Sequence, residues 1–236
     1  MTIGEGFTAL SVRSEAQRTA APDRADLYTT LSATAESKSV ATTKVQTALL
    51  GVLADLERSG GQVLTADSTR AALTWSTQSL RTQEEYGSDK RGTHGPTGRQ
   101  QASVTLQLAV GDFALLPTVA AALTSHDAIE IHSVSWSVDD DHPEWALVRA
   151  DAIRAALSKG QDYAAALGGT VVRVDHVADA GLLGGDNNGM SVTHTRAVAL
   201  SAGGGGMELS LDPVPQVLTA TIEARFAASV AALPVR

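Results

Sequence analysis

Six histidines (94, 126, 132, 142, 176 and 194) and 26 carboxylates are the groups in this 236-residue chain best suited to acid–base or metal chemistry. Their spacing argues against most of it. No HExxH pair sets two imidazoles on one helical face. His126 precedes Asp127 and could orient a serine, yet no Gly-x-Ser-x-Gly elbow marks a nucleophile. A histidine at a helix end, near its negative pole, is the plainer reading. Asp139-Asp140-Asp141-His142 could supply hard oxygens and one imidazole. Consecutive residues of an extended chain face opposite ways, however, so they cannot converge as alternately spaced loop ligands do. Aspartates ahead of a helix stabilise its positive end, and a helix start is expected here. Asp186-Asn187-Asn188-Gly189 lacks the downstream Glu of a calcium loop and reads as a turn. Gly203 to Gly206 is followed by no Gly-Lys-Ser/Thr and reads as a linker. With no cysteine there is no disulfide, thiolate ligand or thiol nucleophile. The sequence therefore presents no catalytic, cofactor-binding or metal-ligating set, and the chain is expected not to be an enzyme.

Charge narrows the partners. The formal net charge is −8, whereas phosphate binding draws on clustered Lys and Arg. The densest basic stretch, Lys90-Arg91 with Arg99 and the aromatic Tyr86 nearby, sits among glycines and reads as a solvated loop. No nucleic-acid partner is expected. No run approaches the ~18 apolar residues of a membrane-spanning helix, so no membrane insertion is expected. The first residues, Met1 to Phe7, lack the basic start and apolar run of a secretion signal. As written the chain reads as cytoplasmic; a chain trimmed of a leader would read the same way.

The elements that would position any site follow from periodicity. Residues 9–20 predict a strand and Ala21-Pro22-Asp23 a turn. Leu27, Thr29, Leu31, Ala33 and Ala35 then alternate with polar partners, so the two strands are expected to form an antiparallel hairpin. Ser39 is the expected N-cap of a first helix with Val45, Leu49, Val52 and Leu56 on its buried stripe, supported by Ala48 and Leu53. Gly60-Gly61 ends it. A strand is expected within Gln62–Leu80, carrying Val63, Leu73 and Trp75. Gln83 to Arg99 reads as a polar, glycine-rich loop. Ala102, Val104, Leu106, Leu108 and Val110 alternate cleanly and give the clearest strand.

Asp112 caps a second helix through Phe113, Leu116, Val119 and Leu123, which Pro117 forces to start late or bend. In residues 128–138, Ile129 and Ile131 share one parity and Val134, Trp136 and Val138 the other; one inserted residue near His132-Ser133 would bring both sets to one face. Pro143 opens a third helix with Trp145, Val148, Ala152, Ala155, Ala156, Tyr163 and Leu167 as its buried stripe, stopped by Gly168-Gly169. Trp75, Trp136 and Trp145 are expected in core packing or a subunit contact. Residues 170–177 predict a short strand, 178–212 a long loop, and Leu218, Ala220, Ile222, Ala224 and Phe226 mark a last strand. The fold class is α+β, a largely antiparallel mixed sheet with three main helices packed on it.

These residues resemble the SIMPL-domain family over Ala9 to Phe226. The likeness lies in the Ala21-Pro22-Asp23-Arg24-Ala25-Asp26-Leu27 turn into an alternating strand and in the Asp112-headed helix. It lies also in the Pro-led, alanine-rich helix ending Lys159-Gly160 through Ala166-Leu167-Gly168, and in the loop, proline and terminal strand. The resemblance implies a single SIMPL-like domain over 9–228, with room for two subdomains (about 9–82 with 213–228, and 99–178). Long flexible loops at 83–99 and 178–212 belong to that organisation. It implies no reaction and no transferable catalytic residue; it leans toward self-assembly and a bacterial envelope or oxidative-stress role. Family members usually carry a secretion signal, and Gly160 stands where they tend to have Ala. A mid-helix glycine costs about 0.5–1 kcal/mol relative to Ala, so the position is expected to admit only a small residue against the sheet. The preferred expectation is a non-enzymatic homo-oligomer with a structural or stress-protective role, resting on long amphipathic strands whose edges need covering. The alternative is a module binding a small ligand or protein partner through loops 83–99 and 178–212. No cofactor is expected under either.

Overall fold

A computed structural model describes residues 7–68, 70–88, 94–182 and 211–230. The fold is α+β, as the patterning implies, but it holds two sheets instead of one. The chain divides into two compact units. Of the described residues, one unit holds 7–20, 139–182 and 215–230, and the other holds 21–138 and 211–214. The division runs along other boundaries than the 9–82 with 213–228, and 99–178, expected. Strand pairing between distant segments sets it, and local composition does not record that.

The first unit is a three-stranded antiparallel sheet under one helix. β1 (Phe7–Ala20) pairs along all 14 residues with β9 (Gln216–Ser229), and β9 pairs on its other side with β8 (Thr170–Asp179). The expected β1–β2 hairpin is therefore corrected. Pro22 offers no N–H, and Asp23 already donates to the Ser137 carbonyl (2.9 Å) in the other sheet. The turn signal marked a change of direction, while the ladder went to a strand about 200 residues away.

α3 (Glu144–Ala166) covers this sheet. Its buried stripe is Trp145, Val148, Ala152, Ala156, Gly160 and Ala164. Ala155, Tyr163 and Leu167, expected inside, are exposed. Beyond Val148 the stripe advances four residues at a time and is built of Ala and Gly, so the helix lies close to the strands through a narrow strip. A Cβ on Gly160 would sit 2.7 Å from Phe226 Cδ2, which bears out the expectation that only a small residue fits. Gly168, at φ 71°, ends the helix.

The second unit is a six-stranded sheet. Its order is β3-β4-β6-β2-β7, with β5 paired beside β6. β2 (Arg24–Ala35) is flanked by β6 (His94–Val110) and β7 (Ile129–Ser137), both antiparallel. Leu27, Leu31, Ala102, Val104, Leu106, Leu108 and Val110 are buried on one face as their alternation requires. Each large aliphatic among them contributes about 1.5–3 kcal/mol on burial. In β7, Tyr28 faces Ser133 and Thr29 faces Ile131, so His132 is the inserted residue and the expected bulge is present. The strand expected within 62–80 is two: β3 (Gln62–Val63) and β4 (Leu73–Thr77), paired in parallel.

α1 (Lys38–Arg58) packs Ala41, Val45, Val52 and Leu56 onto the sheet. Its cap is Ser37, whose Oγ accepts from the Val40 N–H at 3.4 Å, two residues before the expected Ser39. Asp112 caps a 3-10 turn, Phe113–Leu115, its carboxylate accepting from the Ala114 N–H at 3.0 Å. α2 (Leu116–Thr124) follows with Pro117 in its first turn, the late start that Pro117 demands.

Residues 83–99 are not a loop where they are described. β5 (Arg81–Ser88) pairs with β6 from Arg81↔Ser103 to Ser88↔His94. Both strands are exposed on both faces there, so no apolar alternation advertised them. Of the loop expected at 178–212, Ala178 and Asp179 belong to β8, and residues 183–210 lie outside the described residues.

Candidate functional site

The chemistry-bearing residues singled out in the sequence are spread through the fold, and His126, His132 and His142 each make a contact within it. His126 follows α2; its Nε2 lies 3.0 Å from Asp55 Oδ2 on α1, not beside Asp127 in a triad. Asp55 also pairs with Arg58. Gly51 makes the approach of the ring feasible, since a Cβ there would lie 3.1 Å from His126 Cε1. Asp55 was not singled out from sequence: 71 positions separate the pair, and no local spacing signals it. His132, on its bulge, places Nε2 2.8 Å from Thr30 Oγ1. His142 Nδ1 accepts the Glu144 N–H at 3.2 Å, and the Asp139 carbonyl accepts the Trp145 indole N–H at 3.1 Å. The Asp139–His142 run is thus a helix start. Among the described residues no three His, Cys, Asp or Glu groups gather as metal ligands. His194, Lys90-Arg91, Asp186–Gly189 and Gly203–Gly206 lie outside the described residues.

The three tryptophans are core residues, 3–8% exposed. Trp136 meets Phe113 edge to face at 5.2 Å.

The strongest electrostatic cluster fastens β1 to α3. Arg18 Nε donates to Asp151 Oδ2 at 2.6 Å and its Nη1 to Glu144 Oε2 at 3.2 Å, while Arg154 Nη2 reaches Asp151 Oδ1 at 2.5 Å. The hydrogen bond from Arg18 holds the Asp151 carboxyl below its ordinary 3.8, with Arg154 adding to the effect. The same bond, then that to Glu144, raises the Arg18 guanidinium. Ser14 Oγ donates to the Ala152 carbonyl at 2.7 Å alongside. These groups are engaged in holding strand to helix.

Two surfaces of the second unit are built by its strands. One is the sheet face turned away from the apolar core. The register brings Asp26, Tyr28, Thr30, Ser32 and Thr34 of β2 beside Ala109, Gln107, Thr105, Ser103 and Gln101 of β6, with Ser133, Ser135 and Ser137 of β7 on the other flank. A pit of about 80 Å³ opens on it. The other is the far end of the β5–β6 ribbon. β2 accompanies β6 only over 100–110 and β4 only over 106–110, so residues 94–99 of β6 pair with β5 alone among the described residues. Thr97 Oγ1 donates to Glu85 Oε2 at 2.7 Å across the ribbon, and Tyr86 is 69% exposed.

The profile of the SIMPL family, described as a protein of unknown function (DUF541), matches residues 10–226. The chain belongs to the SIMPL family. No curated protein matches it. The match spans both units, so the SIMPL profile takes in the β1–β9 ladder and the inserted six-stranded sheet alike. No helix among the described residues of this SIMPL protein is long and apolar enough to cross a membrane.

Proposed function

We propose that this SIMPL protein is a non-enzymatic, self-associating chain with a structural or stress-protective role. The observation that carries the reading is the two-stranded arm formed by residues 84–88 and 94–99. A lone two-stranded hairpin is marginal in water; among the described residues no third strand pairs with 84–88 or 95–99. The edges of such a ribbon offer backbone groups to a further strand. Pairing with the arm or an edge strand of a second copy would satisfy them. β1, whose 14-residue ladder to β9 runs without a register shift, is a further such edge. β8 is the contrasting edge: its ladder shifts register twice, at Val171/Arg173 and Val174/His176, a device that discourages strand addition. The histidines described above support the non-enzymatic part, since His126, His132 and His142 each serve a contact that holds the fold.

The test is the mass in solution by light scattering and sedimentation, for the full chain and for a variant with residues 85–99 replaced by Asn-Gly. That replacement joins the paired residues Glu84 and Gln100 through a two-residue hairpin turn. An oligomer for the full chain and a smaller species for the folded variant are expected. A monomeric full chain defeats the proposal; undiminished association of the variant removes the arm from it. The same arm supports the alternative, a module binding a small ligand or protein partner through 83–99 and 178–212. A partner captured by monomeric full chain and lost with the arm would favour that reading.

A further inference from the structure

We infer that two copies of this chain join through the outer edge of β5, antiparallel about a twofold axis at Gln83. The inference rests on the self-association proposed above and names the strand and register that carry it. The strand follows from what guards the other edges, since native sheets blunt an edge with bulges, Pro, Lys or brevity. β8 is broken by two register shifts and β7 by the bulge at His132. β3 is two residues long. On β1, Lys159 Nζ donates to the Arg13 carbonyl at 3.2 Å midway along the strand. The arm itself has unlike edges. From Glu84↔Gln100 to Tyr86↔Pro96, β5 advances two residues and β6 four, so the insertion belongs to β6. There β6 also carries Gly98 at φ 77° and Pro96, which has no N–H to give. β5 holds neither Pro nor Lys, and among the described residues only β6 pairs with it.

The register follows from charge. A twofold axis between antiparallel edges stands perpendicular to the sheet, so like faces adjoin and each residue meets one of its own parity. Centred on Gln83, the pairing sets Arg81 opposite Glu85 of the second copy, and by symmetry Glu85 opposite its Arg81. Such opposite-charge pairs stabilise neighbouring strands. Arg81 is exposed and forms no ion pair among the described residues. Glu85 Oε2 accepts from the Thr97 hydroxyl at 2.7 Å and lies 4.0 Å from Arg99 Nη1, which leaves Oε1 for a partner. Gln83 meets itself on the axis, and a carboxamide both donates and accepts. An axis at Glu84 would set two carboxylates directly opposite, which destabilises a strand pair. An axis at Thr82 would set Arg81 against Gln83 and bring no opposite charges together. A chain of net charge −8 repels its copies at large, so an interface where opposite charges meet selects this edge and this register.

The test is sedimentation and light scattering of the full chain and of charge variants at the axis. Gln83→Glu and Gln83→Lys each set a like charge against itself, and each alone is expected to weaken association roughly tenfold or more. An equimolar mixture of the two is expected to restore it, because the mixed pair sets Glu against Lys. Arg81→Glu is expected to weaken association as much, and the same chain carrying Glu85→Arg as well to recover it. These losses shrink as salt rises, as the interactions of exposed charges do. Gln83 and Arg81 are exposed, so unchanged thermal melting is expected for their variants. Should the double variant loosen the arm, the Gln83 mixture decides alone. A wild-type oligomer that the Gln83 variants leave intact, or that their mixture fails to restore, overturns the inference while self-association stands through another edge. A monomeric wild-type chain overturns both.

Discussion

Gly160 offers the sharpest test of how α3 lies on its sheet, because two effects of known size oppose each other there. In an exposed helix, Gly→Ala stabilises by about 0.5–1 kcal/mol. At position 160 the new methyl would lie 2.7 Å from Phe226 Cδ2 and 2.8 Å from Cε2. Phe226 is 2% exposed in the central strand of the sheet, so its ring has little room to turn away. Overpacking of this kind costs typically 1–3 kcal/mol. Set against the propensity gain, Gly160→Ala should lose about 1 kcal/mol, and Gly160→Val distinctly more. A loss of that size lowers Tm by roughly 2–4 °C in a chain of this length. The assay is urea unfolding followed by fluorescence, in a background that keeps Trp145, the tryptophan of the same unit, and replaces Trp75 and Trp136 by Phe. Pairing Gly160→Ala with Phe226→Leu should recover stability relative to the sum of the single changes, by a coupling of about 1–2 kcal/mol. If Gly160→Ala alone stabilises by its helix propensity, the close approach of helix and strand is wrong and the reasoning fails.

Other consequences follow from the same geometry. Because the folded Asp151 carboxyl titrates below its ordinary 3.8, its ion pairs contribute stability above that value and lose it as pH falls through the folded one. Asp151→Asn should flatten the acid limb of a stability–pH profile below the carboxyl's ordinary 3.8, and an unchanged limb would contradict it. The Arg18 guanidinium is raised above its ordinary value by its hydrogen bonds to Asp151 and then Glu144, so it stays charged as the acid limb is crossed. Deleting His132 should be tolerated, since it leaves Ile129, Ile131, Val134 and Trp136 in one parity. Deleting Ser135 forces Val134 or Trp136 off the core face and should cost about 3 kcal/mol or more. Comparable melting of the two deletion variants would refute the bulge's placement. Thr29, fully buried, donates its hydroxyl to the Leu106 carbonyl at 2.9 Å, so Thr29→Val should lose about 1 kcal/mol in urea unfolding.

What the sequence disclosed and what it withheld have one physical origin. Parity is a local property, so Ala102 to Val110 and Leu218 to Phe226 declared their buried faces, and the mismatch between Ile131 and Val134 declared the bulge. Partner choice is not local. Nothing near Pro22 says that β1 will lie beside residues 216–229, and the turn residues there suggest a hairpin to any reader confined to that window. The ribbon of residues 83–88 and 94–99 escaped for a related reason: a strand wet on both sides has hydrogen bonds but no apolar rhythm. In α3, Ala155, Tyr163 and Leu167 fitted a broad stripe, whereas close contact with a sheet narrows it to one small residue per turn. Of the candidate surfaces, the histidine contacts needed coordinates, because Asp55 and His126 are far apart in the chain. The hollow at Ala109 needed them too, because an alanine signals one only once its neighbours across the sheet are known.

The full-length register of β1 with β9 also governs the order in which this protein can be born. Phe7 lies opposite Ser229, so the sheet they share cannot close until residue 229 has left the ribosome. The described strands and helices between 21 and 138 complete a core of their own much earlier. The chain is thus built as one domain inserted into another, with the host's first strand kept waiting for its mate. A ladder spanning more than 200 positions is slow to find, and until it forms a 14-residue edge stands open to other nascent copies.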